Sequence, residues 1–308
     1  MAKQGQSREV EVDGRTLALT NLDKVLWPQA GFTKAEAIDY YARIADTILP
    51  HLRGRPLTRV RFPDGVESQR FFEKRAPKHT PDWVKTAPIE MGTAGVLDFI
   101  VCDDRATLIW LAQLAALELH PSLALAKKPE RPTVLAFDLD PGAPATAVEC
   151  AQIALRLREL FDELGLECFA KHSGSKGIQV YVPLNTAVTY ERTKSYSRAV
   201  AQALERAEPD LVVSKQKKEL RKGKVLVDWS QNDFSKTTVA TYSLRCRDRP
   251  WASAPLHWDE VAELADDGDP DSVRFEASEV LERVERHGDL FAPVLELKQK
   301  LPKAPGQG

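Results

Sequence analysis

Three aspartates in this sequence sit where carboxylates do chemistry. Asp138 and Asp140 close the apolar run Val134–Phe137, in the stretch Phe137-Asp138-Leu139-Asp140-Pro141. Side chains alternate across a strand, so both project from one face, close enough to share cations. Two like charges at a strand end need compensation, and a divalent metal is the usual source. Asp228 ends a second short apolar run, Lys224-Val225-Leu226-Val227-Asp228-Trp229, and repeats the pattern. Together the three suit the metal cage of a nucleotidyl-transfer enzyme, where one metal activates a hydroxyl, another holds the leaving pyrophosphate, and oxygen ligands suit Mg or Mn. A D-x-D pair taken alone also occurs in phosphatases that use the first Asp as nucleophile, in metal-dependent glycosyltransferases, and in a solvated turn leading into Pro141-Gly142.

Two further segments carry chemistry. His172-Ser173-Gly174-Ser175-Lys176-Gly177 lies between two expected strands. Its backbone N–H groups, two hydroxyls and a lysine could cradle a triphosphate, although G-x-x-x-x-G-K-[ST] is absent; the alternative is a Gly-rich hairpin turn. In Asp228-Trp229-Ser230-Gln231-Asn232 an acid is followed at once by hydrogen-bonding side chains, with Lys236 and Arg245 nearby in sequence; the alternative is a strand end with a polar loop and a core Trp.

The elements that must position these residues read as follows. Val10 to Thr20 predicts a hairpin turning at Asp13-Gly14, after a flexible tail over residues 1–8. Thr33 and Glu36 make a capping box for a helix through about Thr47. Leu57 to Phe62 and Arg70 to Lys74 are extended, and a strongly apolar helix is expected from Arg105 to Leu119. A Pro- and Lys-rich linker, Pro121 to Pro132, precedes a strand (Thr133 to Leu139), a helix (Thr146 to Leu164, stopped by Gly165), strands at Leu166 to Lys171 and Ile178 to Val182, and a helix at Tyr190 to Arg206. Strands follow at Val225 to Asp228 and around Thr237 to Tyr242. Hairpin connections too short for crossovers, interleaved with helices, predict a mixed-sheet α+β fold.

With 308 residues, 43% hydrophobic and 29% charged, the chain is globular and fits one large domain or two smaller ones. A net charge of -2 argues against a phosphate-rich partner, but the distribution does not. Cations crowd into Lys215 to Lys224 and into Arg53, Arg55, Arg59 and Arg61, while acids gather over Asp259 to Asp271, so one basic face is expected. Cys102, Cys150, Cys168 and Cys246 are scattered without a C-x-x-C pair, which predicts reduced thiols in or near the core. No apolar run approaches the roughly 18 residues of a membrane span, and the N-terminus has no signal-peptide core, so a cytoplasmic protein with no membrane partner is expected.

The ordered blocks F-D-L-D-P-G, S-G-S-K-G-I-Q-V-Y-V-P-L and V-D-W-S-Q-N resemble the primase-polymerase domain of bacterial ligase D and its stand-alone relatives, in the archaeo-eukaryotic primase superfamily. The resemblance runs from about Thr20 to Leu290 and takes in T-N-L-D-K-V-L-W-P, G-R-P-L-T-R-V-R-F-P-D-G, R-F-F-E-K, L-E-L-H and S-K-T-T-V-A-T-Y-S-L-R. It implies mixed β-sheets flanked by helices around a primase-like core, in a single domain over residues 1–300. Residues 9–130 would contact DNA ends and template, 131–250 would form the catalytic core, 251–300 a helical part, and 301–308 a frayed tail or a cut linker.

By the same resemblance, Asp138, Asp140 and Asp228 would be catalytic ligands of two Mn or Mg ions. His120, Ser173, Lys176, Arg221, Gln231 and Arg245 would bind the nucleotide. Asn21, Lys24 and Lys34 would hold a DNA 5'-phosphate, and Phe71 or Phe72 would stack on template. From the sequence alone His120 reads as a cation near a helix C-terminus. Two departures stand out: Gln179 occupies a position where the superfamily usually has His, and Val60 one where close relatives carry a basic residue. The implied activity is extension of a primer 3'-hydroxyl with NTP or dNTP at gaps or broken ends, ribonucleotides and Mn favoured, with Ku and a ligase as partners. No K-x-D-G ligase signature is present. The other readings are a catalytically quiet DNA-end-binding or scaffold module and a phosphatase using Asp138.

Overall fold

The structure, a computed structural model, describes residues 7–303. The tails expected over 1–8 and 301–308 fall largely outside the described residues. The fold is α+β with mixed sheets, as expected, and the chain divides into two compact units. Unit 1 holds the chain up to Pro121 with Tyr242–Ala252 and Phe275–Gly288; unit 2 holds Ser122–Thr241, Ser253–Arg274 and the residues from Asp289 on.

Unit 1 opens with the expected hairpin, β1 (Arg8–Val12) and β2 (Arg15–Leu19). Its turn residues Asp13 and Gly14 have φ of 49° and 73°, the left-handed pair that a two-residue hairpin turn demands. After β3 (Val25–Trp27) and β4 (Phe32–Thr33), Thr33 and Glu36 form the capping box of α1 (Lys34–Arg43). The single helix expected through Thr47 is two, because Ile44 ends α1 and α2 runs Ala45–Leu52. Strand β5 (Pro56–Arg61) centres a sheet. Strand β9 (Ala116–Pro121) lies along one edge of β5, β6 (Phe71–Glu73) and β8 (Val96–Val101) share the other, and β7 (Thr86–Glu90) pairs with β8. Strands β15 (Leu244–Cys246), β16 (Pro250–Ala252) and β18 (Phe275–Glu276) form a second sheet, followed by α7 (Ala277–His287).

Several expectations for unit 1 are corrected. The helix expected over Arg105 to Leu119 is α3 (Arg105–Gln113) followed by β9, with Ala115 at φ 54° turning the chain between them. Every α3 side chain from Ala106 to Ala112 is buried, so no polar stripe distinguished helix from buried strand. The strand expected around Thr237 to Tyr242 is absent there; a strand begins only at Leu244, beyond Tyr242, which takes φ 68°. The arginines of β5 are not a surface cluster. Arg59 is fully buried and donates to Glu73 and to the carbonyl of Arg75, Arg61 also pairs with Glu73, and Arg55 is buried.

Unit 2 is a six-stranded sheet ordered β13 (Val212–Val213), β14 (Val225–Asp228), β10 (Val134–Pro141), β12 (Ile178–Pro183), β11 (Phe169–His172), β17 (Ala254–Leu256), parallel only between β13 and β14. One face of β10 turns Phe137 and Leu139 to α4 (Ala147–Glu163), where the Phe137 and Phe161 ring centroids are 5.7 Å apart and Cys150 Sγ donates to the Leu139 carbonyl. Thr146 caps α4 in a box with Glu149. Helix α5 (Tyr190–Ala207) packs on β10 and β13, α6 (Trp258–Asp267) on α4, and α8 (Pro293–Glu296) on β12. The stretch Pro121 to Pro132 is not a free linker: Leu123 and Ala124 belong to a buried cluster with Val134, Ala136 and Tyr181. All four cysteines are free and buried, and burial raises their thiol pKa, that of Cys168 to about 12. Among the described residues no helix is long and apolar enough to cross a membrane.

Candidate active site

The face of the unit 2 sheet opposite α4 carries the acids. Backbone register sets Asp138 directly across from Asp228 on one side and Gln179 on the other, and Gln179 across from Lys171. Residues opposed in a sheet share a face, so one row reads Lys171, Gln179, Asp138, Asp228. Gln179 Nε2 donates to Asp138 Oδ1 at 3.0 Å. Burial first, and the neighbouring charges of Asp228 and Asp140, push the Asp138 carboxyl up to about 6, against the Gln179 hydrogen bond and the Lys171 ammonium. Lys171 is fully buried and donates to the Val239 carbonyl at 2.9 Å and to Ser253 Oγ at 2.7 Å.

Asp228 is held at both oxygens. Oδ1 accepts from Gln216 Nε2 at 2.8 Å and from Ser230 N and Oγ at 2.9 and 2.6 Å; Oδ2 accepts from Gln231 Nε2 at 2.8 Å. Asp140 is exposed and accepts from Arg221 Nη1 at 3.3 Å. With Asp140 and Asp228 turned to these donors, no group of three or more His, Cys, Asp or Glu side chains among the described residues is gathered tightly enough to hold a metal ion. The chemistry of the donor set nevertheless fits a hard divalent cation. Three carboxylates occupy neighbouring strand positions, and the charges of Asp228 and Asp140, which add to burial in raising the Asp138 carboxyl, are a repulsion such an ion would relieve.

Local packing explains why these segments sit together. Strand β14 pairs with β10 only from Asp138 onward, and Asn232 supplies the next rung with its side chain: Oδ1 accepts from Ala136 N at 2.9 Å and Nδ2 donates to Ala136 O at 2.6 Å. The Ser173–Gly177 loop is internally bonded, Ser173 Oγ accepting from the N–H groups of Ser175 and Gly177, while Lys176 is exposed. A Cβ on Gly177 would lie 2.0 Å from the Leu139 carbonyl oxygen, so only glycine lets this loop lie against β10.

In unit 1 the structure brings His120 and Arg245 together at Glu118. Glu118 Oε2 lies 3.0 Å from His120 Nε2 and 2.7 Å from Arg245 Nη1, and Oε1 accepts from Cys246 N at 2.9 Å. Burial alone would raise the Glu118 carboxyl; the His120 hydrogen bond and the Arg245 and His120 charges hold it at about 2. His120 therefore sits in a strand rather than at a helix end. Phe71 and Phe72 are 40% and 61% exposed, so neither is a core residue, and the Phe72 ring centroid lies 6.3 Å from that of His120.

Asn21, Lys24 and Lys34 also converge. Lys24 N donates to Asn21 O at 3.1 Å and Lys34 N to Lys24 O at 2.8 Å, with Asn21 at φ 54°. Lys34 Nζ donates to the Thr20 carbonyl, Lys24 Nζ to Pro63 O and Asp64. Lys34 is buried, and burial, then the charges of Lys24 and Arg61, lower its pKa to about 8. Sequence reasoning named these residues and placed Asn232 among the hydrogen-bonding side chains after Asp228, but missed Glu118, Lys171 and Gln216. For Glu118 the signal was the alternation in Leu117-Glu118-Leu119-His120; for the other two there was none.

Sheet-borne aspartates beside a glycine-rich loop, on a mixed α+β scaffold, are the arrangement expected of a metal-dependent nucleotidyltransferase. The fold is similar to the polymerase domain from Mycobacterium tuberculosis ligase D in complex with DNA, with a TM-score of 0.84, 39% identity, and coverage of 92% of this chain and 99% of that one. The model of the LigD primase-polymerase domain matches residues 33–291, and the chain belongs to that family. It is 44% identical over 278 residues to the multifunctional non-homologous end joining protein LigD of Mycolicibacterium smegmatis, covering 90% of this chain and 36% of that protein. It is 33% identical over 276 residues to the bifunctional non-homologous end joining protein LigD of Bacillus subtilis, covering 89% of this chain and 43% of that protein. The chain thus spans well under half the length of these relatives.

Proposed function

We propose that this chain is a template-directed polymerase that adds nucleotides, ribonucleotides preferentially, to a primer 3'-hydroxyl at DNA gaps or double-strand breaks. The observation that carries this reading is the row in which Asp138 faces Asp228 across adjacent strands, beside the loop of Ser173 and Lys176. Two Mn or Mg ions held by Asp138, Asp140 and Asp228 would supply the Lewis acidity that favours the primer alkoxide and the departing pyrophosphate. The protein's own contribution is positioning. Gln179 orients Asp138; Ser230, Gln231 and Gln216 orient Asp228; Lys176, Ser173, Arg221 and Gln231 offer donors to the triphosphate. The exposed rings of Phe71 and Phe72 are template-stacking surfaces, a contact worth roughly 1–3 kcal/mol per base. The setting is non-homologous end joining in the bacterial cytoplasm at the nucleoid, with Ku and a ligase as partners. Extension of a gapped duplex with each metal and each sugar type tests this reading; template-independent or absent incorporation under every condition contradicts it.

The cluster of Asn21, Lys24 and Lys34 is the proposed 5'-phosphate pocket. Lys24→Ala with Lys34→Ala should weaken binding to 5'-phosphorylated gapped DNA about tenfold or more while changing the unphosphorylated gap little; equal losses in a titration of both substrates contradict the pocket. The pH dependence has a definite sign. Lys34 is cationic below about 8, so its contribution to the 5'-phosphate preference is present at pH 7 and fades as pH rises through 8 to 9. Its folded pKa lies below its ordinary 10.5, so its share of folding stability runs the other way and increases between those values.

A further inference from the structure

Gln216 lies in the exposed basic run, yet its side chain reaches two partners in the candidate site. Its amide nitrogen donates to Asp228 Oδ1 at 2.8 Å, and its amide oxygen accepts from Arg221 Nη2 at 3.0 Å. The same Nη2 reaches the backbone carbonyl of Gln216 at 2.6 Å, while Arg221 Nη1 turns to Asp140 Oδ2 at 3.3 Å. A primary amide donates at one end and accepts at the other. It therefore joins a carboxylate to a guanidinium without adding charge to a site that already holds three carboxylates. Gln216 and the two Ser230 donors crowd Asp228 Oδ1, whereas Oδ2 has one hydrogen bond, from Gln231. The crowded oxygen is the one that Gln216 helps to anchor.

We infer that Gln216 is a positioning residue: it fixes the rotamer of Asp228 and aims Arg221, so that the basic loop and β14 meet an incoming nucleoside triphosphate as one piece. This rests on the proposed role of Arg221 in triphosphate binding. Because Gln216 is exposed, its replacement leaves core packing untouched, and both Gln216 variants should melt within a few degrees of wild type.

The test is a double-mutant cycle read by calorimetric titration with ATP and by steady-state extension. Arg221→Met should weaken ATP binding about tenfold, Gln216→Met nearly as much, and the double variant no more than Arg221→Met alone. Gln216→Glu keeps the acceptor for Arg221 but opposes Asp228 with a second carboxylate, so KM should stay within about threefold while kcat falls about tenfold. Wild-type ATP binding by Gln216→Met, losses that multiply in the double variant, or the same KM and kcat pattern for Met and Glu would each overturn the clamp while leaving the role of Arg221 intact. If Arg221→Met binds ATP as wild type does, the proposed role of Arg221 fails, and the clamp fails with it because it then aims nothing.

Discussion

Asp228→Asn should abolish primer extension, by roughly a thousandfold or more, because in the proposed two-metal site several kcal/mol of charge stabilisation at the reacting phosphate would depend on that carboxylate. Asparagine is the informative substitute. Its carbonyl oxygen can take the place of Oδ1 and still accept from Ser230 and Gln216, and Gln231 can rotate its amide to satisfy the new NH2. The polar cage around the side chain then survives while its charge is lost, so the melting temperature should move by only a few degrees. Measured together on a 5'-phosphorylated gapped duplex and in a thermal melt, these outcomes separate charge from architecture. Near-normal extension by the folded variant removes Asp228 from the proposed metal set and returns the D-x-D pair to its phosphatase and turn alternatives.

Gly142→Ala should be nearly as damaging for a different reason. A Cβ at this position would lie 1.9 Å from the carbonyl oxygen of Arg221, far inside any real contact. The close approach is fixed by backbone bonds, Gly142 N to Lys224 O at 2.8 Å and Gly223 N to Gly142 O at 2.9 Å. A methyl group must push the Arg221 segment away from the end of β10, at a cost of roughly 1–3 kcal/mol of stability. The same displacement separates Arg221 from Asp140 and Gln216, and extension should fall about a hundredfold with most of the loss in nucleotide KM. Wild-type stability and KM in Gly142→Ala would mean that the loop has an alternative seat the observed packing does not show.

How far the sequence carried the fold depended on the kind of signal. Asp138, Asp140, Ser173 and Asp228 were legible because strand alternation and turn chemistry are local, and the capping boxes at Thr33 and Thr146 are local as well. The segment from Arg105 to Leu119 was misread because burial on every side erases the periodicity that separates helix from strand. The arginines of β5 looked like a surface cluster because a list of cations cannot reveal Glu73, which lies on a different strand. Gln216 was invisible for the same reason, and Asn232 was named as a hydrogen-bonding side chain without its partner Ala136. Their roles exist only once β14 has paired with β10, and a polar residue in a loop has no pattern that announces such a partner. The Gln179 departure, noted in the sequence, gains a definite contact at Asp138.

The interleaving of the two units bears on how the chain acquires its structure. Unit 1 draws on three separated stretches, the last two arriving only with Tyr242–Ala252 and Phe275–Gly288. Until then Glu118 has neither the guanidinium of Arg245 nor the amide of Cys246, and the Tyr41 hydroxyl lacks the amide of Leu244. On the ribosome the first half of the molecule must wait for the second, whereas the central run from Ser122 to Thr241 already contains five of its six strands. No single cut can separate the two units as intact fragments, so a truncation at Pro121 should yield an incomplete chain rather than an isolated DNA-end module.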